Sequence, residues 1–197
     1  MSDLINYKNI IQQWNINESW TLFLDRDGVI NQRKIGGYIT MIDEFEFTPG
    51  ALQALANANK IFGKIIVVTN QQGVGKGIMT DDDVKQIHEH MISIVEKHNG
   101  RIDAVYYSPF LAELNHQSRK PNPGMAFQAA KDFPEINFKR CIMLGDAPTD
   151  MEFANSVGMK SVFIGNPEEF DLSSKSFDIS YPSFLDFIKD LMALCVN

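Results

Sequence analysis

Two carboxylates two residues apart, Asp25 and Asp27, follow the apolar run Thr21-Leu22-Phe23-Leu24. The run reads as a buried strand, and alternate residues of an extended chain point the same way. Continued past the strand end, that alternation lets both acids face one crevice, and open α/β sheets bind ligands at the carboxyl ends of their strands. A carboxylate pair so placed suits metal binding and acid/base chemistry. Asp25-Arg26-Asp27-Gly28-Val29 also has the composition of a plain Asp-Gly turn, and three later segments bear on the choice. Ile65-Ile66-Val67-Val68-Thr69-Asn70-Gln71 is a β-branched run ending in polar residues, with a hydroxyl at the tip, before Gly73, Gly75 and Gly77. Arg119-Lys120-Pro121-Asn122-Pro123-Gly124-Met125 sets two cations ahead of a Pro/Gly turn that cannot continue a helix. Cys141-Ile142-Met143-Leu144-Gly145-Asp146 is again a strand followed by an acid, with Asp150 at the head of the next helix.

Such residues do chemistry together only if the chain gathers them. Strands are predicted at about Thr21–Asp25, Lys64–Thr69, Ala104–Tyr107, Cys141–Leu144 and Ser161–Ile164, short and apolar on both faces, the mark of a central parallel sheet. Helical patterns lie between them. Thr48-Pro49 supplies an N-cap and first-turn proline for Ala51–Phe62. Thr80 with Asp81, Asp82 and Asp83 opens a helix on which Val84, Ile87, Met91, Ile94 and Val95 recur at helical spacing. The acidic triplet offsets the positive end of that helix's dipole and needs no metal role. His88, His90 and His98 lack the i, i+4 pairing or neighbouring thiols of a metal site and read as solvated surface histidines. Helices near Met125–Asp132, Asp150–Val157 and Ser183–Leu194 complete a β/α alternation. The expected fold is a three-layer, doubly wound (Rossmann-like) α/β architecture in one domain over residues 1–197, with the core motifs at about 21–165.

The 197 residues, 44% of them apolar, suffice for one packed core. Met1 to Trp20 has neither a continuous apolar segment nor a basic leader, so no signal peptide or membrane span is expected and the setting is cytosolic. Cys141 and Cys195 form no disulfide framework and read as small buried hydrophobes. A net charge of −7 disfavours long polyanionic partners, because contact with a nucleic-acid backbone needs clustered cations. The nearest thing to a basic run, Arg33-Lys34, reads as a solvated loop pair. A small phosphate ester remains compatible, since local cations can focus it.

The order Asp-x-Asp, Thr, Lys, Gly-Asp-x-x-x-Asp resembles the four motifs of the haloacid dehalogenase-like (HAD) phosphohydrolases, over about Phe23 to Ile164. Asp25-Arg26-Asp27-Gly28 with Ile30-Asn31, Thr69-Asn70-Gln71 with Gly73 and Lys76-Gly77, and Arg119-Lys120-Pro121 with Gly124-Met125 are similar to the subgroup of histidinol-phosphate and heptose-bisphosphate phosphatases. Polynucleotide 3′-phosphatases share several of these features. The resemblance implies that Asp25 is the nucleophile of an aspartyl-phosphate mechanism and Asp27 the general acid, then base, with a neighbouring carboxylate raising one pKa of the pair. It implies magnesium held by Asp25, the Asp27 backbone carbonyl and Asp146, with Thr69 and Lys120 on the phosphoryl oxygens. Asn70 and Arg119 are expected on the substrate, Arg119 against a second anionic or polar group. Asp150 either orients Lys120 or a metal water or caps its helix. Three acids facing a phosphate dianion require a divalent cation on electrostatic grounds alone.

Asn31 to Phe47 leaves room only for a flap turning at Gly36-Gly37, so the large cap domain of many relatives is not expected. Relatives often carry a zinc loop, Cys-x-His then Cys-x-Cys, before Arg-Lys-Pro. Here the aligned positions are Ser108, Phe110, His116 and Ser118, of which only His116 suits zinc, so no structural zinc is expected. Specificity for a bisphosphate or for histidinol phosphate therefore does not transfer with the motifs. The expected partner is a small-molecule phosphate ester, not nucleic acid or membrane. A polynucleotide 3′-phosphatase and a non-catalytic, phospho-ligand-binding member of the fold are the competing readings.

Overall fold

The apolar runs pair into one parallel sheet. β1 (Thr21–Leu24), β2 (Lys64–Asn70), β3 (Ala104–Ser108), β4 (Cys141–Gly145) and β5 (Lys160–Ile164) join a sixth strand, β6 (Ile179–Tyr181), in the order β3-β2-β1-β4-β5-β6. The computed structural model describes residues 2–170 and 176–195. Between the strands run α1 (Ser2–Trp14), α2 (Ala51–Ala58), α3 (Asp81–Lys97), α4 (Gly124–Asp132), α5 (Pro148–Val157) and α6 (Phe184–Cys195).

Strand alternation sorts the core into two layers. Leu22, Leu24, Ile65, Val67, Ile142 and Leu144 face one side, packed with Ile11 of α1, Leu55 of α2, Ile87 and Met91 of α3, and Phe187 of α6. Phe23, Ile66, Val68 and Met143 face the other, against Met125 and Ala129 of α4 and Phe153 and Ala154 of α5. A run apolar on both faces is thus the requirement of a sheet covered twice. Burying one such Leu or Phe contributes about 1.5–3 kcal/mol. The three-layer α/β domain is the expected one.

Several boundaries differ. The chain enters α2 not through Thr48-Pro49 but through Gly50, whose φ of 79° is a left-handed turn, while the Thr48 hydroxyl donates to the Val29 carbonyl at 2.7 Å. Residues 59–62 leave the helix. Helix α1 and strand β6 were not anticipated: α1 carries many polar residues and packs on α6, and β6 is a three-residue edge strand interrupted by Ser180. The acidic triplet caps α3 as expected, since Thr80 Oγ1 accepts from the Asp83 backbone and Asp83 accepts from Thr80. Cys141 is buried; the Cys195 side chain lies outside the described residues. Among the described residues no helix is long and apolar enough to cross a membrane.

Candidate active site

β1 is the switch point of the sheet, with β2 on one side and β4 on the other. A crevice opens at the carboxyl ends of such a junction, here a cleft of about 710 Å³ lined by Asp25, Asp27, Thr69, Lys120 and Asp150 among others. The register delivers them. Leu24 pairs with Val67 and Leu144, so Asp25 emerges one residue beyond and its N–H donates to the Leu144 carbonyl at 2.9 Å.

Lys120 is the buried centre of the acids. It is 2% exposed, and its three donors reach Asp25 Oδ1 at 2.8 Å, Asp150 Oδ1 at 2.6 Å and the Val68 carbonyl at 2.8 Å. Burial alone would depress the ammonium, but Asp150 and Asp25 outweigh it and hold its pKa above the ordinary value. With every donor engaged, Lys120 offers an incoming anion its charge rather than a spare N–H. The Asn70 amide is committed to the Lys120 backbone, donating to its carbonyl at 3.0 Å and accepting from its N–H at 3.0 Å. Asp150 makes two contacts: one oxygen meets Lys120 at 2.6 Å and the other accepts from the Ala147 N–H at the head of α5, at 3.1 Å.

The carboxylate pair is asymmetric, in the sense opposite to the one an acid at Asp27 suggests. Asp25 is pushed up to about 6 by burial, and by Asp150 and Asp27 against the pull of Lys120. Asp27 is held below its ordinary value: burial would raise it, but Arg26 wins, assisted by Asn31 and Gln71. Arg26 Nη2 donates to both Asp27 oxygens at 3.0 and 2.9 Å, Asn31 to Oδ1 at 2.9 Å and Gln71 to Oδ2 at 2.9 Å. Asp27 therefore rests as a carboxylate, and gaining a proton costs it one of these donors. Gln71 also donates to Thr69 Oγ1 at 3.0 Å, which leaves the Thr69 hydroxyl proton free to point to the cleft.

Asp146 faces Asp25 and Asp150. Carboxylate oxygens of Asp25, Asp146 and Asp150 lie within 4.8 Å of one another. Burial and the charge of Asp25 push Asp146 up to about 7 despite Arg33. The Arg33 guanidinium, 2.5 Å from Asp146 Oδ1 and 3.4 Å from the Asp27 carbonyl, is a side-chain cation set between the oxygens that a hard metal ion would use. The oxygen set and its excess of negative charge fit magnesium. Arg33 is a solvent-exposed loop residue, as the sequence suggested, but its guanidinium is paired with Asp146, 113 positions away in sequence.

Gly28 makes this approach possible. Its φ is +94°, and an added Cβ would sit 1.8 Å from Asp146 Oδ2. Gly28→Ala is expected to cost about 1–3 kcal/mol in backbone strain and to displace Asp146. Urea denaturation reads the first, and an unchanged midpoint would contradict the geometry.

Arg119 does not line the cleft; Nη1 donates to the Phe110 carbonyl at 3.0 Å and braces the loop. In that loop the Phe110 and His116 rings stack with centroids 3.5 Å apart, and His116 Nδ1 lies 2.8 Å from Ser118 Oγ. Four polar residues at the site carry no strong sequence signal: Arg26, Asn31, Gln71 and His88. His88 is not solvated but buried, because it lies four residues after Val84 and three before Met91, on the inward stripe of α3. Its helical spacing was the available signal.

A doubly wound sheet with clustered acids, a hydroxyl and a buried lysine at its switch point defines a phosphohydrolase site of the HAD type. The comparisons agree: a HAD-hydrolase-like family model matches residues 117–176. The D-glycero-alpha-D-manno-heptose-1,7-bisphosphate 7-phosphatase of Mycobacterium bovis is 37% identical over 164 residues, covering 81% of this chain and 86% of that one. The D-glycero-beta-D-manno-heptose-1,7-bisphosphate 7-phosphatase of Helicobacter pylori is 34% identical over 155 residues, covering 77% and 88%. The fold is similar to that of the D,D-heptose 1,7-bisphosphate phosphatase of B. bronchiseptica, solved with magnesium and phosphate, with a TM-score of 0.79, 23% identity and coverage of 88% and 98%. The chain belongs to the HAD-like phosphatases, hydrolases acting on phosphate esters.

Proposed function

We propose that this protein is a magnesium-dependent phosphatase that hydrolyses a small phosphate monoester, of the sugar-phosphate or histidinol-phosphate type, through an aspartyl-phosphate on Asp25. The observation that carries the reading is the Asp25–Lys120–Asp150 cluster beside Asp146, four residues from three separate segments brought together at the strand ends. Uncatalysed monoester hydrolysis is extremely slow, so a nucleophile, charge neutralisation and a leaving-group proton must all be supplied.

In this reading Asp27 first takes up a proton from solvent as the phosphate dianion binds; an Asp25 oxygen then attacks phosphorus, the bond to the ester oxygen breaks, and Asp27 passes that proton to the departing oxygen. Water then attacks phosphorus, Asp27 takes its proton, and the bond to Asp25 breaks to release inorganic phosphate. Thr69 donates its hydroxyl to a phosphoryl oxygen, and Lys120 supplies positive charge beside the nucleophile. Asp25, the Asp27 carbonyl and Asp146 would hold magnesium, which when bound neutralises phosphoryl charge. Asp150 holds Lys120, Asn70 fixes its backbone, and Arg119 acts on substrate by shaping the entrance loop. The reading needs neither nucleic acid nor membrane and implies a cytoplasmic setting.

Turnover of a panel of phosphate monoesters with magnesium tests the proposal, the relatives' heptose bisphosphate among them. Turnover of none of the panel would count for a non-catalytic member of the fold, and preference for a 3′-phosphorylated oligonucleotide for the polynucleotide reading.

Metal content is a separate expectation. Structural zinc needs four side-chain ligands, and the loop before Lys120 presents His116 stacked on Phe110, with Ser108 and Ser118 bonded to each other at 3.2 Å. Elemental analysis is expected to find no stoichiometric zinc, and magnesium alone should restore activity after chelation. One tightly held zinc per chain would overturn this.

A further inference from the structure

Arg26 is wholly buried, 0% exposed, yet it is not itself part of the reacting set. A buried guanidinium is costly unless its donors are met. Here Nη2 serves both Asp27 oxygens, the ring of Phe45 lies 6.0 Å below the guanidinium carbon, and Nε has no partner. Nη1 has His88 Nε2, at 3.2 Å. Since Arg26 only donates, Nε2 accepts, and His88 is neutral with its proton on Nδ1. Burial and the nearby Arg26 charge push the imidazole down to about 3, so this state persists across the working pH range. The His88 ring meets Tyr107 edge-on at 5.8 Å, and Tyr107 donates to Asp81 at the head of α3 at 2.6 Å, which locks the imidazole from behind.

The geometry has a mechanical consequence. A contact made through Nη2 alone leaves the guanidinium plane free to turn about the line joining it to the carboxylate. A second fixed point at Nη1 removes that freedom and sets the carboxylate plane with it. We propose that His88, outside the cleft, is a positioning residue for phosphoryl transfer: it anchors Arg26 at Nη1, and Arg26 aims the Asp27 carboxyl at the leaving-group oxygen. The inference rests on Asp27 being the general acid.

A residue that merely stabilises the fold would, when replaced, slow all substrates alike. A residue that aims the acid matters most when the leaving oxygen needs the proton. The test therefore compares kcat/KM, which reports the step in which the leaving group departs, on glycerol 2-phosphate and on p-nitrophenyl phosphate. His88→Phe keeps a ring against Tyr107 but accepts nothing; it is expected to lose about 10-fold more on glycerol 2-phosphate than on p-nitrophenyl phosphate. His88→Gln restores an acceptor and should recover most of the difference. Should His88→Phe fail to fold, Arg26→Lys keeps a cation beside Asp27 but has no second donor arm to reach His88, and it should show the same substrate-dependent loss. Asp27→Asn serves as the control. If it discriminates between the two substrates while the His88 and Arg26 variants lose equally on both, or lose nothing, the positioning role is overturned and the reading of Asp27 stands. If Asp27→Asn itself loses equally on both, the general-acid reading falls, and the inference with it.

Discussion

Asp25→Asn is expected to remove steady-state turnover, by about 10⁴-fold or more, in a protein that still folds. The amide is isosteric with the carboxylate but cannot form the aspartyl-phosphate, so no second step remains to be measured. Stability should change little, because two effects oppose each other. The variant weakens the 2.8 Å contact with Lys120, yet it also removes a charge that burial and two neighbouring acids disfavour, as the rise to about 6 shows. Turnover above background in freshly purified variant would show that Asp25 is not the nucleophile. A collapse in melting temperature would show instead that its role is structural.

Lys120→Met is expected to abolish activity and also to damage the fold. Removing one partner of a buried ion pair leaves an uncompensated charge and costs about 3–5 kcal/mol; here Asp25 and Asp150 both lose their ammonium within 2.8 Å. The sign of the pH dependence follows. Asp25 is already raised to about 6 by burial against the pull of Lys120, and without that pull it titrates higher still, so the folded variant binds more protons than the unfolded chain and loses stability as pH rises. The deficit relative to the parent should be smaller near pH 5, where Asp25 is protonated, and full by about pH 8. Denaturant midpoints across that range check it, and a deficit independent of pH would contradict the burial of charge at this lysine.

These two outcomes separate chemistry from architecture because Asp25 and Lys120 stand differently in the structure. Asp25 sits at the end of a strand that folds regardless of its side chain. Lys120 comes from a loop whose position depends on Asn70, on the Val68 carbonyl and on both acids.

Much was legible from local pattern. Continuous apolar runs ending in an acid or a hydroxyl define where β1, β2 and β4 stop, and a parallel sheet puts those ends on one edge, so the shared location of Asp25, Thr69 and Asp146 followed from local pattern. Thr80 and its acids announced α3 because capping uses residues three apart. What remained hidden has a common cause: it depends on pairs distant in sequence. Arg26 meets His88 across 62 residues and Arg33 meets Asp146 across 113, and no periodicity links such positions. The direction of the pKa split at the acid pair was equally out of reach. Two carboxylates spaced like Asp25 and Asp27 differ only in their surroundings, and the tertiary structure gives burial and two acids to one, and a guanidinium and two amides to the other. The sequence by itself determined which residues stand at the strand ends, since that is a matter of local geometry. Only the tertiary structure decided which of them carry charge and what holds them still, since desolvation and hydrogen bonding belong to the packed neighbourhood rather than to the chain.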